Sequence, residues 1–363
     1  MGLPFADVFA GRSVFVTGHT GFKGSWLSIW LHRLGAKVTG YSLAPPTEPS
    51  NFAASALGGL LAGHYENDIC ESRCLEPAIR QADPDVVFHL AAQPLVRRSY
   101  AAPKETFAVN VLGTATLLDA VRARDKPCVV VIVTSDKCYA NREQPWGYRE
   151  TDPLGGHDPY SASKAAVEIV AAAYRDSFFP SADLQRHQTP LATARAGNVI
   201  GGGDWAEDRI VADIVRSLAA GHPVAVRNPR AVRPWQHVLE SLGGYLTLAA
   251  KMLDTPSPEL CDAWNFGPLP GQDVPVAALV ERFLAAWGKG SWTDASDPRQ
   301  PFEAKVLKLS VEKSISHLGW RPVWTADEAI GRTARWYRRF YEAGATNMLD
   351  ACLKDIEAYE AAC

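Results

Sequence analysis

Tyr160 and Lys164 stand at the two ends of Tyr160-Ser161-Ala162-Ser163-Lys164, a spacing that puts both on one face of a helix. A lysine ammonium beside a phenol favours the phenolate, drawing its pKa down from about 10 towards neutrality. Such a phenolate takes a proton from an alcohol while the same carbon gives up a hydride. The pattern also occurs by chance on exposed helices, so its weight comes from position. It follows an apolar run that ends in Thr134-Ser135-Asp136-Lys137, placing a hydroxyl, a carboxylate and a second amine at one strand end.

A hydride needs an acceptor, and the N-terminal region has the form of a dinucleotide site. Val14-Phe15-Val16-Thr17 runs into Gly18-His19-Thr20-Gly21-Phe22-Lys23-Gly24 and then an apolar helix. Glycines permit the tight turn and close backbone approach, while the helix N-terminus faces a pyrophosphate. The alternative is an ordinary strand–helix turn, but strand and helix both lie where the motif requires them. The second strand ends Gly40-Tyr41-Ser42-Leu43, without a carboxylate for a ribose or an arginine for a 2′-phosphate. This test therefore does not choose between NAD and NADP. Asp68-Ile69, after a third strand, is placed to meet an adenine edge; the competing role for Asp68 is a helix cap.

The elements that must position these groups follow from periodicity. Residues 13–17, 37–41, 85–90, 127–134 and 191–196 read as short buried strands. Helical patterns over 24–34, 74–82, 106–124 and 161–177 separate them, which predicts a doubly wound parallel sheet. After residue 196 come a glycine-rich turn at 201–204, a proline- and arginine-rich loop at 227–233 and a helix over 239–253. The expected architecture is α/β: a Rossmann-type domain, 1–197 plus about 234–257, and a smaller mixed α/β domain, 198–233 and 258–363. The second would pack on the carboxyl ends of the strands. The chain has 363 residues, 47% of them hydrophobic and 21% charged, ample for such a core. A net charge of -3 gives no electrostatic reason to expect nucleic acid or an anionic membrane as partner. Seven scattered cysteines without a CxxC pair suggest reduced thiols and no metal site. The N-terminal stretch, with Pro4 and Asp7, does not read as a signal peptide, so a soluble cytoplasmic protein is expected.

Residues 18–24, His89-Leu90-Ala91-Ala92, Asn110 with Gly113-Thr114, Ser135, and Tyr160 with Lys164 together resemble the extended short-chain dehydrogenase/reductase family, along essentially the whole chain. The resemblance implies NAD as cofactor, held by Gly18, Thr20, Gly21, Phe22, Lys23, Gly24, Ser42, Asp68, Ile69, Leu90, Ala91, Ala92, Asn110 and Thr134, with Tyr160 and Lys164. It also implies a nucleotide sugar between the domains. Thr134-Ser135-Asp136-Lys137-Cys138-Tyr139, residues 196–205 and Arg233-Pro234-Trp235-Gln236-His237-Val238 are similar, more narrowly, to the branch of 4,6-dehydratases that acts on CDP-glucose. That likeness implies a borrowed hydride. Tyr160 deprotonates the C4 hydroxyl as hydride leaves for NAD, water is lost across C5 and C6, and the hydride returns to C6. The product would be CDP-4-dehydro-6-deoxyglucose, a step toward the deoxysugars of surface polysaccharide.

Within that chemistry Ser135, Asp136 and Lys137 join Tyr160 and Lys164 as catalytic candidates. Asp136 would protonate the departing hydroxyl, which requires a raised pKa. Lys137 would be the C5 base, provided burial and nearby positive charge bring it well below about 10.4. The related dTDP-glucose enzymes carry Asp-Glu here. In the rival reading Lys137 stays charged, pairs with Asp136 and stabilises the enolate. For the nucleotide end the resemblance implies Gln93, Asn198, Arg209, Arg233, Asn265 and Arg299. Two other functions stay open: a 4-epimerase, which has no use for Asp136 and Lys137, and a non-catalytic NAD(H)-binding protein. Family members are usually dimers through long helices, so a homodimer or dimer of dimers through 106–124 and 161–177 is expected.

Overall fold

The computed structural model describes residues 5–297, 306–342, 344 and 347–363. Seven parallel strands form the central sheet: β1 (Ser13–Thr17), β2 (Lys37–Ser42), β3 (Gly63–Glu66), β4 (Val86–His89), β5 (Val129–Val133), β6 (Leu191–Ala196) and β7 (Ala263–Phe266). Their spatial order is β7-β6-β5-β4-β1-β2-β3. Chain order therefore reverses between β1 and β4, opening a crevice at their carboxyl ends.

Because side chains alternate along a strand, a sheet covered on both faces must be apolar throughout. Val14 and Val16 of β1 enter one core with Val129, Val131 and Val133 of β5; Phe15, Val130 and Ile132 enter the other. Helices α1 (Phe22–Arg33), α2 (Ser72–Ala82), α3 (Gly113–Arg122) and α4 (Pro159–Phe178) make the crossovers. Leu75, Ile79, Leu117, Val121, Val167 and Ala171 cover one face. On the other, α1 is joined by α6 (Val238–Asp254), which follows α5 (Ile210–Ala219).

The expected strands and helices form within a few residues of their predicted bounds. The region 106–124 differs: it divides into Pro103–Phe107, one wider turn at Ala108–Leu112, and α3. Strand β7 was not foreseen. It is only four residues long and carries a polar Asn265, yet it pairs with β6 from Ala263↔Thr193 to Phe266↔Ala196.

Beyond β6 the chain forms two-residue ribbons, Val199–Ile200 with Gln236–His237 and Val232–Arg233 with Val274–Pro275. It also forms α7 (Val276–Trp287), α8 (Ala326–Glu342) and α9 (Met348–Ala362). Trp26 and Trp30 of α1 share one continuous core with Trp205, Trp324, Trp336 and Tyr359, so the tryptophans act chiefly as packing. No helix among the described residues is long and apolar enough to cross a membrane.

Candidate active site

The glycine turn has the shape a dinucleotide requires. Gly18 adopts φ +74, and a Cβ there would lie 2.7 Å from the Ala91 nitrogen. A Cβ on Gly24 would lie 2.1 Å from the Gly18 carbonyl oxygen, so only glycine lets α1 approach the turn this closely. No side chain caps α1, leaving its first N–H groups directed at the crevice. Thr17 Oγ1 accepts from the backbone of Leu90 and Ala91, tying β1 to the segment after β4. Buried His89 bridges Thr17 and Thr114 and is held neutral, its pKa driven down to about 3 by burial and then by Lys164. This open cradle fits NAD.

At the adenosine end Thr20 lies 2.8 Å from the Ser42 hydroxyl and donates to the Leu43 carbonyl. Asp68 accepts from Cys70 N–H at 2.9 Å, which is its local turn role. Ile69 packs where any side chain on Gly113 would stand. Asn110 accepts from Gln93 N–H and donates to the Gln93 carbonyl and Ser163 Oγ. The Gln93 amide is committed to Leu95 and Thr106. Both residues therefore brace the loop after β4 against α4.

Helix α4 begins where the sequence dictates. Asp158 caps it by accepting from Ser161 N–H, Pro159 occupies the first turn, and Ser99 Oγ accepts from Tyr160 N–H. This places Tyr160 and Lys164, both over 90% buried, beneath the end of β5. Lys164 Nζ donates to the Val133 carbonyl at 3.3 Å, and burial brings it down to about 8 against the pull of Glu168. The expected fall in the Tyr160 pKa does not occur here. Burial pushes the phenol up to about 12, only partly offset by Arg209 and Ser135. Desolvation of the phenolate is the largest effect, and Lys164 is not among the groups that offset it.

Ser135 caps the short turn Asp136–Cys138, accepting from Lys137 N–H at 3.2 Å and donating to Asp136 Oδ1 at 2.9 Å. Asp136 is 2% exposed. Its Oδ2 has no partner among the described residues and faces Gly197, where a Cβ would lie 2.9 Å away. No ion pair joins Asp136 to Lys137 among the described residues. The half-buried Lys137 is bound there only through its backbone.

Several contacts of the site escaped the sequence. Lys23, expected at the cofactor, reaches across to donate to Tyr245 Oη of α6 at 3.3 Å. Burial, with Arg209 and Lys164 nearby, lowers it to about 7. Beneath the site Glu168 accepts from Thr134, from Thr193 at 2.7 Å and from Arg195 at 2.8 Å. Arg195 also donates to Tyr139 Oη, which donates in turn to Asn265. Asn265 is wholly buried and spends its amide on the Tyr148 and Ser310 carbonyls. The available signals were Glu168 four residues after Lys164 and an arginine inside the apolar β6.

Of the nucleotide-end candidates, Arg233 is buried on its ribbon and Arg209 is exposed over the crevice, donating to the Pro94 carbonyl. Asn198 is half-buried beside Gln236, whose N–H it receives on its carbonyl. Arg299 lies outside the described residues.

CDP-glucose 4,6-dehydratase of Salmonella typhimurium is 46% identical over 356 residues, 98% of this chain and 98% of its own. UDP-glucose 4-epimerase of Thermus thermophilus, solved with NAD, is 26% identical with a TM-score of 0.74, covering 90% of this chain and 98% of that one. The fold also matches dTDP-glucose 4,6-dehydratase of Streptomyces venezuelae, solved with NAD and TYD bound: TM-score 0.76 at 24% identity, over 93% and 99% of the two chains. Residues 14–267 match the NAD dependent epimerase/dehydratase family model. The chain belongs to the NAD dependent epimerase/dehydratase family.

Proposed function

We propose that this protein is a lyase that converts CDP-glucose to CDP-4-dehydro-6-deoxyglucose and water. The observation that carries the reading is Asp136, a buried carboxyl with one unpartnered oxygen beside Ser135 and Tyr160. An epimerase has no leaving hydroxyl to protonate and no use for such a group. The CDP preference comes from the Salmonella relative, which matches along both full chains.

NAD, when bound in the glycine cradle, supplies the acceptor and later the donor of the hydride. Tyr160, once ionised, takes the C4 hydroxyl proton, with Ser135 beside it and Lys164 one turn along α4, and the resulting ketone acidifies C5. Lys137 removes the C5 proton, and Asp136 protonates the leaving C6 hydroxyl. Arg209, Arg233 and Arg299 are assigned to the diphosphate, with Asn198; Gln93 and Asn265 act by bracing the loops around it. The division into a cofactor domain and a substrate domain is retained, with β7 lent to the central sheet. Exposed Leu112 and Ile169, beside α3 and on α4, are the surface assigned to a cytoplasmic homodimer or dimer of dimers.

The test is incubation with CDP-, dTDP-, UDP- and GDP-linked hexoses, with and without added NAD, read by mass spectrometry. CDP-glucose should lose one water and gain a 4-keto group. A product of unchanged mass would instead identify an epimerase.

A further inference from the structure

At the mouth of the crevice two consecutive residues reach from the loop before α5 to the segment after β4. Asp208 Oδ1 accepts from Arg227 Nη1 at 2.5 Å and lies 3.5 Å from Arg97 Nε. Arg209 donates to the Pro94 carbonyl at 3.5 Å. Arg98, next to Arg97, is turned instead to Glu105 on its own side of the crevice, at 2.6 Å. Resting on the nucleotide-sugar reading above, we propose that Asp208 holds the place of the substrate's diphosphate. On binding, the phosphates take over Arg97 and Arg227, and the Asp208 carboxylate swings away.

A guanidinium that grips a carboxylate offers the same donors to a phosphate. Both arginines stand where the substrate must pass. Arg97 is two residues before Ser99, whose Oγ receives the Tyr160 N–H at 3.1 Å. Arg227 opens the loop that leads to Arg233, on its ribbon Val232–Arg233. The side chains of Arg97, Asp208 and Arg227 are 42%, 37% and 35% exposed, so an anion in solution reaches them. Asp208 has a left-handed backbone, φ +60, which aspartate and asparagine tolerate better than other non-glycine residues. Its two cation contacts hold the carboxylate in that pose.

The exchange leaves a strongly positive mouth. Arg227 keeps Asp213 at 3.4 Å, and Asp213 keeps Arg216 at 2.6 Å. With Asp208 withdrawn, Arg97, Arg209, Arg216 and Arg227 face the phosphates with Asp213 as the acidic member of the cluster. In the free protein Asp208 is therefore an internal competitor. It lowers the affinity for any diphosphate, and its return to the arginines helps the product leave.

The experiment measures Kd for CDP by calorimetry and for cytidine by ligand-observed NMR, with the holoprotein saturated in NAD. Asp208→Asn keeps the shape and the left-handed backbone but removes the charge. It should tighten CDP by about three- to fivefold, the size of a surface ion pair, and leave cytidine unchanged. Arg227→Gln and Arg97→Gln should each weaken CDP, and by about twofold more in the Asp208→Asn background than in wild type, because the competitor is then already gone. An Asp208→Asn protein that binds CDP no more tightly than wild type overturns the exchange, and Asp208 then only braces its loop. Equal tightening of cytidine overturns it as well. UDP, dTDP and GDP, each beside its nucleoside, separate the two readings. If another base is preferred, the CDP assignment falls and the exchange is judged on that pair by the same criteria. If no nucleoside diphosphate binds the holoprotein, both readings fall together.

Discussion

Lys164 shares a helical face with Tyr160, but its ammonium is turned to the Val133 carbonyl and the phenol stays protonated near neutral pH. The positive charge that matters for Tyr160 in the free protein comes from Arg209, which lies in a different part of the sequence. Lys137 presents the opposite case, since nothing described pairs with its ammonium. Lys137→Ala should still form bound NADH with CDP-glucose but lose at least about a hundredfold in solvent exchange at C5, measured by deuterium incorporation. Unchanged exchange would remove Lys137 as the base. The residue types at the site were legible because Tyr160, Lys164, Ser135 and Asp136 sit at fixed spacings on one strand end and one helix. The long reaches of Lys23 and Arg209 were not, since a flexible side chain's destination depends on elements hundreds of residues away. Lys23 meets Tyr245, a contact that no local pattern encodes.

At the scale of elements, β5, β6 and α4 are held in register beneath the site by Glu168, Arg195, Thr134 and Thr193, all buried. Removing one member of a buried ion pair strands the other charge and costs about 3–5 kcal/mol. Glu168→Ala should lower stability by that order in urea denaturation. It should also displace Thr134 and so slow the first oxidation. Replacing Arg195 and Glu168 together by Met and Leu should recover most of the stability, because the charge is then no longer stranded. A Glu168→Ala loss below about 1 kcal/mol would show that water reaches Arg195. Strands β1 and β6 were readable to the residue because each is a short apolar run bounded by turns. β7 was hidden because Asn265 breaks its apolar pattern, and its amide is satisfied only by Tyr148, Ser310 and Tyr139 from distant loops.

Across the whole molecule, the C-terminal helix closes back on the first. Trp30 donates to Glu360, Arg33 pairs with Glu357 and Glu360, and Tyr359 Oη donates to Glu240 at 2.9 Å. Glu240 also accepts from Val323 and Trp324 N–H, so one carboxyl joins α6, the loop before α8 and α9. Burial raises its pKa from 4.5 to about 7, against the lowering effect of those three donors. The folded protein therefore binds this proton more tightly than the unfolded chain. Its contribution to stability is greatest below the unfolded value and falls as pH rises through the window from 4.5 to about 7. At about 1.4 kcal/mol per pKa unit, the loss across the window is about 3 kcal/mol. His19, His89 and His237, each held near 3 by burial, act oppositely: their neutral folded forms lose stability as pH falls below the ordinary histidine range. Wild type alone thus shows a mixture of the two slopes, and Glu240→Gln separates them. Glutamine keeps the carbonyl that receives Val323 and Trp324 but cannot titrate, and losing the Tyr359 acceptor gives only a pH-independent offset. The stability of Glu240→Gln relative to wild type should rise between pH 4.5 and 7, read as melting temperature at half-unit steps. A difference that stays flat across that window would mean that Glu240 is ionised in the folded protein throughout it and that the three donors outweigh burial.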